Sequence, residues 1–181
     1  MTTVAPSGRW IAVIGSGRDG RVAVIEAMAR ALSRAGARLG GFVQRTRWTD
    51  DAIEGYDLVH PSTGEAEALA REDGTAPELC RWSFDEDAFA RARQWTLDGE
   101  LDVVFVEAGR LEAAKRGHWP TLMGALAARS LTVLSIRRGV LASVALELPD
   151  PIDAIELPAG ADEVERFVAR TCRHYEQEAR P

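Results

Sequence analysis

The amino-acid sequence predicts an α/β fold, a three-layer sandwich in which helices cover both faces of a mostly parallel central sheet. Apolar runs of strand length alternate along the chain with segments of helical periodicity, which is typical of such a sheet. The chain has 181 residues, of which 46% are apolar and 28% charged, a size and composition typical of one globular domain. We therefore expect a single domain over residues 1–181, with residues 1–8 as a flexible N-terminal extension.

The opening of the chain predicts a strand, a turn and a helix. An apolar run over residues 10–14 ends at a glycine-rich turn, and apolar residues then recur at helical spacing from Val22 until Gly36 stops the helix. A second strand is expected over residues 39–43. This β-turn-α-β unit has the length of a parallel crossover.

The later elements follow in the same manner. Two short strands, over residues 56–60 and 65–71, flank a turn, and Asp85 or Glu86 caps a helix that ends near residue 98. We then expect, in order, a strand over 101–106, a loop over 108–112, a helix over 120–129, strands over 131–136 and 152–157, and a closing helix over 162–178. Open sheets of this kind bind ligands beyond the C-terminal ends of their strands, which here means the turn after Ile14 and the loop after Val106.

Charge and hydropathy exclude several classes of partner. The net charge of −6 offers no basic excess for nucleic acid or for an anionic membrane. No apolar run approaches the roughly 20 residues that span a bilayer, and the N-terminus does not resemble a signal peptide. Cys80 and Cys172 form no metal-ligand spacing and suggest a reducing compartment. We therefore expect a cytoplasmic protein.

The turn after the first strand, GSGRDGR, fits the phosphate-loop template G-x-x-x-x-G-K-[ST] in part. Its glycines allow backbone N–H groups to approach phosphate oxygens at the N-terminus of the following helix. A tight strand-to-helix connection without a ligand explains the glycines equally well. The residues predicted to bind a nucleotide or another phosphate-bearing ligand are Gly15, Ser16, Gly17, Arg18, Gly20 and Arg21.

The same turn departs from the template where hydrolysis needs it most. Arg21 stands in the place of the lysine that reaches the phosphates, and Val22 stands in the place of the hydroxyl that holds Mg²⁺. Asp19 adds a carboxylate that opposes phosphate unless it points away. Glu107, after the apolar run 103–106, is the one candidate catalytic residue. We therefore expect ATP or GTP as possible ligands, no ordinary Mg²⁺ site, and weak or absent hydrolysis.

A second template, the dinucleotide fingerprint G-x-G-x-x-G, also matches Gly15, Gly17 and Gly20. It requires an acid about 20 residues later to hold the ribose, and residues 42–47 contain none. Arg45 in that segment could instead accept a 2′-phosphate, as Arg47 could. An NADP-binding Rossmann-type protein is therefore kept as an alternative.

The order of the segments carries a family resemblance over residues 10–136. The segments are IAVIGSGRDGR, ARLGGFVQR, GYDLVHPSTGEAEALAR, CRWSFDEDAF and DVVFVEAGRLEAAKRGH. Together they resemble the small nucleoside-triphosphatases of the cancer-related type, and more closely a bacterial branch of uncharacterised relatives often encoded near molybdate-uptake genes. In the hydrolysing relatives the first segment ends in Gly-Lys-Ser/Thr and the acid-bearing strand in Asp-Glu, where this chain has Arg21, Val22 and a single acid, Glu107.

The resemblance implies a P-loop-NTPase-like fold with a degenerate phosphate loop, and it leaves two functions open. One is a nucleotide-binding or formerly nucleotide-binding protein. The other is a non-catalytic adaptor that binds a protein partner and could act in molybdenum or other metallocofactor handling. Trp48, Trp82 and Trp119 fall in expected loops or strand ends, where amphipathic rings often serve interfaces.

Histidines and arginines elsewhere are assigned ordinary roles. His60, His118 and His174 lie far apart in the sequence, so we expect surface or helix-cap histidines and no metal site. Arg137 and Arg138 follow the apolar run 131–136 and could face the same ligand-binding edge. We assign them a solvent or helix-cap role.

Overall fold

The computed structural model describes residues 8–50, 52–72 and 82–179, so Cys80 and most of the predicted N-terminal extension lie outside the described residues. Nine strands and six helices occur within these ranges. The strands are β1 (Trp10–Gly15), β2 (Leu39–Gly41), β3 (Val43–Thr49), β4 (Ala52–Val59), β5 (Ala66–Glu72), β6 (Trp82–Phe84), β7 (Val103–Ala108), β8 (Leu131–Arg137) and β9 (Asp153–Glu156). The helices are α1 (Arg21–Arg34), α2 (Glu86–Leu97), α3 (Arg110–Ala113), α4 (Trp119–Ala127), α5 (Leu141–Ala145) and α6 (Ala161–Ala179).

The central sheet has five parallel strands in the order β2-β7-β8-β1-β9. Helices α1 and α6 pack on one face around Ile11 and Val13, while α2 and α4 pack on the other around Trp10 and Ala12. Strands covered on both faces must be apolar throughout, which is why β1, β7 and β8 stand out in the sequence. The predicted three-layer α/β architecture is confirmed.

A second, antiparallel sheet of four strands, β3-β4-β5-β6, stands beside the first. The prediction of a single strand over residues 39–43 is wrong, because the chain leaves the central sheet at Gly41. This glycine has a φ of 83°, and the next N–H, that of Phe42, donates to the Phe105 carbonyl at 2.8 Å. This left-handed residue turns the chain into β3, a strand that the hydropathy of residues 39–43 did not predict.

The segment after the second buried strand also differs from its prediction. Strand β7 continues to Ala108, so Glu107 lies within the strand and not beyond its end. The short helix α3 begins within the predicted loop over 108–112 and ends one residue beyond it. In contrast, Asp85 caps α2 as predicted, with its carboxylate accepting from the Asp87 N–H at 2.9 Å.

The strand order contradicts the NADP alternative. In the dinucleotide fold the first and second strands are neighbours. Here β1 lies between β8 and β9, and β2 lies at the far edge of the sheet. The arginines proposed for a 2′-phosphate form ion pairs elsewhere, Arg45 with Glu26 and Arg47 with Asp57.

Among the described residues, no helix is long and apolar enough to cross a membrane.

Candidate functional site

The predicted phosphate loop lies at the C-terminal edge of the central sheet, between β1 and α1. Gly15 is the last residue of β1, and Gly20, with a φ of 90°, is the N-cap of α1. Residues 16–18 between them are exposed to solvent. The predicted strand-turn-helix is confirmed, and the positive end of the α1 dipole faces the loop.

The carboxylate of Asp19 folds into this loop and does not point away from it. It accepts hydrogen bonds from the backbone N–H of Ser16 and, at 3.2 Å, from that of Arg21. The carboxylate lies so close to Gly15 that a β-carbon there would collide with it. Two of the donors that a phosphate would use are therefore already bound to an anion, and any external anion must displace Asp19.

Arg21, the residue at the lysine position, points across the sheet and not into the loop. Its side chain is buried, with Nη1 donating to Ser135 Oγ at 3.0 Å and Nη2 lying 3.6 Å from Glu107 Oε1. The sheet register explains this contact, because β8 lies between β1 and β7 and pairs Ser135 with both Val13 and Glu107. Arg21 Nε is buried without a hydrogen-bond partner.

Glu107 is consequently held between two arginines. Its side chain is 8% exposed, and Arg137 Nε lies 3.8 Å from the same oxygen that faces Arg21. Burial raises the pKa of Glu107 above its ordinary value, while the charges of Arg21 and Arg137 act in the opposite direction. A carboxylate shared in this way is neutralised by its neighbours and is poorly placed to ligate a cation.

The solvent or helix-cap role assigned to Arg137 is only part of what it does: its side chain is 38% exposed and it is the N-cap residue of the 3-10 turn over residues 138–140, but it also faces Glu107. This residue ends β8 and pairs in register with Gly15 of β1, so it stands at the ligand-binding edge of the sheet. Its guanidinium carbon lies 5.7 Å from the centre of the Tyr56 ring on β4. Its position directly after the apolar run 131–136 was the sequence feature that indicated a place at this edge. The contact with Glu107 depends on strand order and could not be derived from spacing.

A cavity of about 320 Å³ separates the antiparallel sheet from the C-terminal edge of the central sheet. Its walls carry the aromatic side chains Tyr56, Trp82, Phe84 and Phe89. Its polar lining comes from Gln44, Glu107, Arg110, Glu112, His118 and Arg137. Glu107 and Arg137 thus face both the cavity and the region behind the phosphate loop. This cavity could not be predicted from the sequence, because its walls come from distant parts of the chain.

Glu112 and His118 are the most buried polar residues that line the cavity. Glu112 accepts from the backbone N–H of Gly109 at 2.8 Å and from that of His118 at 2.7 Å, and burial raises its pKa. Of the two predicted roles for His118, surface or helix cap, the surface role is wrong because the residue is 3% exposed, whereas it is the N-cap residue of α4, without a side-chain cap hydrogen bond. Its ring lies between Phe42 and Phe89, with centroids at 4.3 and 4.7 Å. Burial lowers the pKa of His118 to about 3, and neither ring nitrogen has a hydrogen-bond partner.

The remaining loop cation, Arg18, is exposed and lies over the indole of Trp48, with its guanidinium carbon 4.2 Å from the ring centre. This cation–π contact fixes Arg18 beside the mouth of the loop. Within residues 8–50, 52–72 and 82–179, no group of three or more His, Cys, Asp or Glu side chains could hold a metal ion.

Comparisons with solved structures identify the fold. The chain resembles the solution structure of a human cancer-related nucleoside triphosphatase, with a TM-score of 0.69 and 14% identity over 96% of this chain and 100% of that one. It also resembles the crystal structure of THEP1 from the hyperthermophile Aquifex aeolicus, with a TM-score of 0.61 and 18% identity over 90% of this chain and 98% of that one. These likenesses show a P-loop NTPase fold, as the resemblance implied.

A search of curated proteins finds no match. Residues 11–143 match the family model described as "Protein of unknown function (DUF2478)", and the chain belongs to this family.

Proposed function

We propose that this protein binds a nucleotide, ATP or GTP, at the loop formed by residues 15–21 and hydrolyses it slowly or not at all. The observation that carries the proposal is the division of roles at this loop. Its backbone N–H groups are arranged around an anion, whereas its buried cation, Arg21, is committed to Glu107.

Binding is supported by what the loop already does. The N–H groups of Ser16 and Arg21 hold the carboxylate of Asp19 at the N-terminus of α1, which is where phosphates bind in proteins of this fold. A nucleotide phosphate would take the place of that carboxylate. The exposed guanidinium of Arg18 stands beside the loop and would add positive charge.

Slow hydrolysis is supported by the residues around the loop. Proteins of this fold commonly use Mg²⁺ held by a hydroxyl after the loop lysine and by an acid at a strand end. Val22 has no oxygen to offer, and Glu107 is paired with Arg21 and Arg137. These residues do not fit a magnesium site, so we assign the protein no metal-dependent step.

Calorimetric titration tests this proposal. ATP, GTP, ADP and GDP are titrated into the protein with and without Mg²⁺, and we expect binding whose affinity changes little with the metal. Arg18→Ala should weaken binding of all four, whereas Arg116→Ala, an exposed arginine outside the loop, should not. Rapid turnover that Glu107→Gln abolishes, or no binding of any of the four, would contradict the proposal.

The adaptor alternative, with its link to molybdenum handling, stays a prediction. Of the three tryptophans on which it rests, Trp48 is 44% exposed, while Trp82 lines the cavity and Trp119 is partly buried as the first residue of α4. Because Trp48 also contacts Arg18 of the phosphate loop, its exposure is equally consistent with a role at that loop. The predicted absence of a nucleic-acid partner likewise stays a prediction.

A further inference from the structure

The cavity between the two sheets has aromatic walls and buried polar residues in its lining, and the proposed binding of phosphate at the loop does not require it. We propose that it binds a neutral, planar heteroaromatic ring of the nucleobase type. Its volume of about 320 Å³ is at the lower end of the range of about 300–1,000 Å³ that small-molecule sites occupy. The proposal rests on the proposed function only for the choice of probes.

The walls favour a flat ring. Tyr56 and Trp82 meet edge to face at 5.1 Å, and Phe84 and Phe89 lie 5.9 Å apart, so rings line the cavity from β4, β6 and α2. Phe84 and Phe89 are only partly buried. Partly exposed aromatic rings in a cavity wall can serve as a stacking platform, which accepts any base because every base has a π face.

The polar end favours a ring with both a donor and an acceptor on its edge. His118 is neutral, so its imidazole carries one N–H donor and one acceptor nitrogen, and both are unpartnered. Buried polar atoms of this kind are normally satisfied, and leaving them unpaired disfavours the empty state. A heteroaromatic ligand that offers an N–H donor and a carbonyl or ring-nitrogen acceptor on its edge could bond to the two His118 nitrogens after a small shift of the imidazole. A hydrocarbon could not.

The charges of the lining favour a neutral ring. The carboxylate of Glu107 faces Arg21 and Arg137, and the two oxygens of Glu112 accept from backbone N–H groups. Of the charged lining residues, Glu107, Glu112 and Arg137 therefore already have partners, while Arg110 is exposed at the start of α3. A charged ring placed among the three partnered residues would have to break their contacts, whereas a neutral base would leave them in place.

Two sources could supply such a ring. Gly15 ends β1 and Glu107 lies on β7, two strands away, so the loop and the cavity edge are about 10 Å apart by the usual strand spacing. One nucleotide could therefore place its phosphates on the loop and its base in the cavity. Alternatively, a free base or nucleoside could occupy the cavity by itself.

The test measures binding of adenosine, guanosine, cytidine and uridine, and of the four triphosphates, by saturation-transfer NMR and calorimetry. Phe84→Leu and Phe89→Leu should each weaken binding of the preferred nucleoside about tenfold or more. The matched control is Tyr175→Leu, a partly buried aromatic residue on α6 at the opposite face of the central sheet, which should leave binding unchanged. Thermal unfolding checks each variant, and Phe84→Leu, at the end of a short edge strand, suffices if Phe89→Leu does not fold.

The variants distinguish a ring that belongs to the loop-bound nucleotide from a ring that belongs to a separate molecule. If Phe84→Leu and Arg18→Ala both weaken the same triphosphate, one nucleotide spans both sites. If Phe84→Leu affects only nucleosides and Arg18→Ala only triphosphates, the ring comes from a separate molecule. Nucleoside binding without triphosphate binding would refute the proposed function and leave this inference intact. The inference is overturned if neither nucleosides nor triphosphates bind at millimolar concentration, or if both phenylalanine variants bind nucleosides and triphosphates as tightly as the parent protein.

Discussion

Replacing Arg21 with methionine should destabilise the protein, and replacing Glu107 in the same chain should recover part of the loss. Methionine keeps the length and apolar stem of the arginine, so the change removes mainly the charge. Glu107 is then left buried with Arg137 as its remaining cation, 3.8 Å away. The further change Glu107→Gln removes the carboxylate charge that Arg21 no longer balances.

The size of the effect follows from burial and distance. At an effective dielectric constant of about 20, opposite charges 3.6 Å apart attract by about 4.6 kcal/mol. Removing one partner of a buried pair costs about 3–5 kcal/mol. Because Arg137 still faces Glu107, and because the unpartnered Nε of Arg21 is removed as well, we expect about 3 kcal/mol for Arg21→Met. The double variant should lose at least about 1 kcal/mol less than Arg21→Met alone.

Urea unfolding at pH 7.5, followed by tryptophan fluorescence, measures the four free energies of unfolding in this double-mutant cycle. Lys115→Met is the control, because Lys115 and Glu147 form an exposed ion pair, 2.9 Å between Nζ and Oε1, which should contribute less than about 1 kcal/mol. Losses that simply add in the double variant would show that Arg21 and Glu107 do not interact, and would refute the argument that Arg21 is withdrawn from the loop by this contact.

Three further predictions concern pH, the loop and the boundary between the sheets. Because the folded state raises the pKa of Glu107, it binds the proton more tightly than the unfolded chain, so stability should fall as the pH rises from about 4.5 toward that raised pKa. Glu107→Gln should flatten this fall in urea midpoints, and an unchanged slope would contradict it. Asp19→Ser should raise the affinity for inorganic pyrophosphate about tenfold, because the competing carboxylate is gone; equal or weaker binding by calorimetry would show that Asp19 does not occupy the anion site. Gly41→Ala should lower the free energy of unfolding by at least about 2 kcal/mol, because the new β-carbon would meet the backbone of Phe105 at a residue whose φ is 83°. Gly139→Ala, with open space around it, is the control and should change the urea midpoint little. Equal midpoints for the two variants would refute this explanation of the strand boundary.

The phosphate loop shows how far local sequence information reaches. The apolar strand, the glycines and the amphipathic helix that follow one another over residues 10–34 are all local features, so strand, turn and helix could be placed correctly. The orientation of Asp19 could not be predicted, because its side chain could point into the loop or away from it. Only the folded loop shows the carboxylate bound to the N–H groups of Ser16 and Arg21.

The antiparallel sheet shows why one strand boundary was missed. Residues 39–43 form one apolar run, and hydropathy alone cannot divide it. The division comes from Gly41, whose left-handed conformation lets Phe42 bond to the backbone of β7 before the chain turns into β3. That contact joins residues more than 60 positions apart, so it is a property of the assembled sheet.

The sequence by itself determined the α/β class, the three most buried strands and the position of the glycine turn, because each depends on hydrophobicity or backbone freedom within a short window. It also indicated Glu107 as the acid of interest. The tertiary structure decided what surrounds that acid. The order β7-β8-β1 brings Arg21 and Arg137 to Glu107, and the antiparallel sheet closes an aromatic cavity over His118. Strand order and sheet-to-sheet packing are set by the summed burial of the whole chain, so side chains that meet across them leave no local pattern to read.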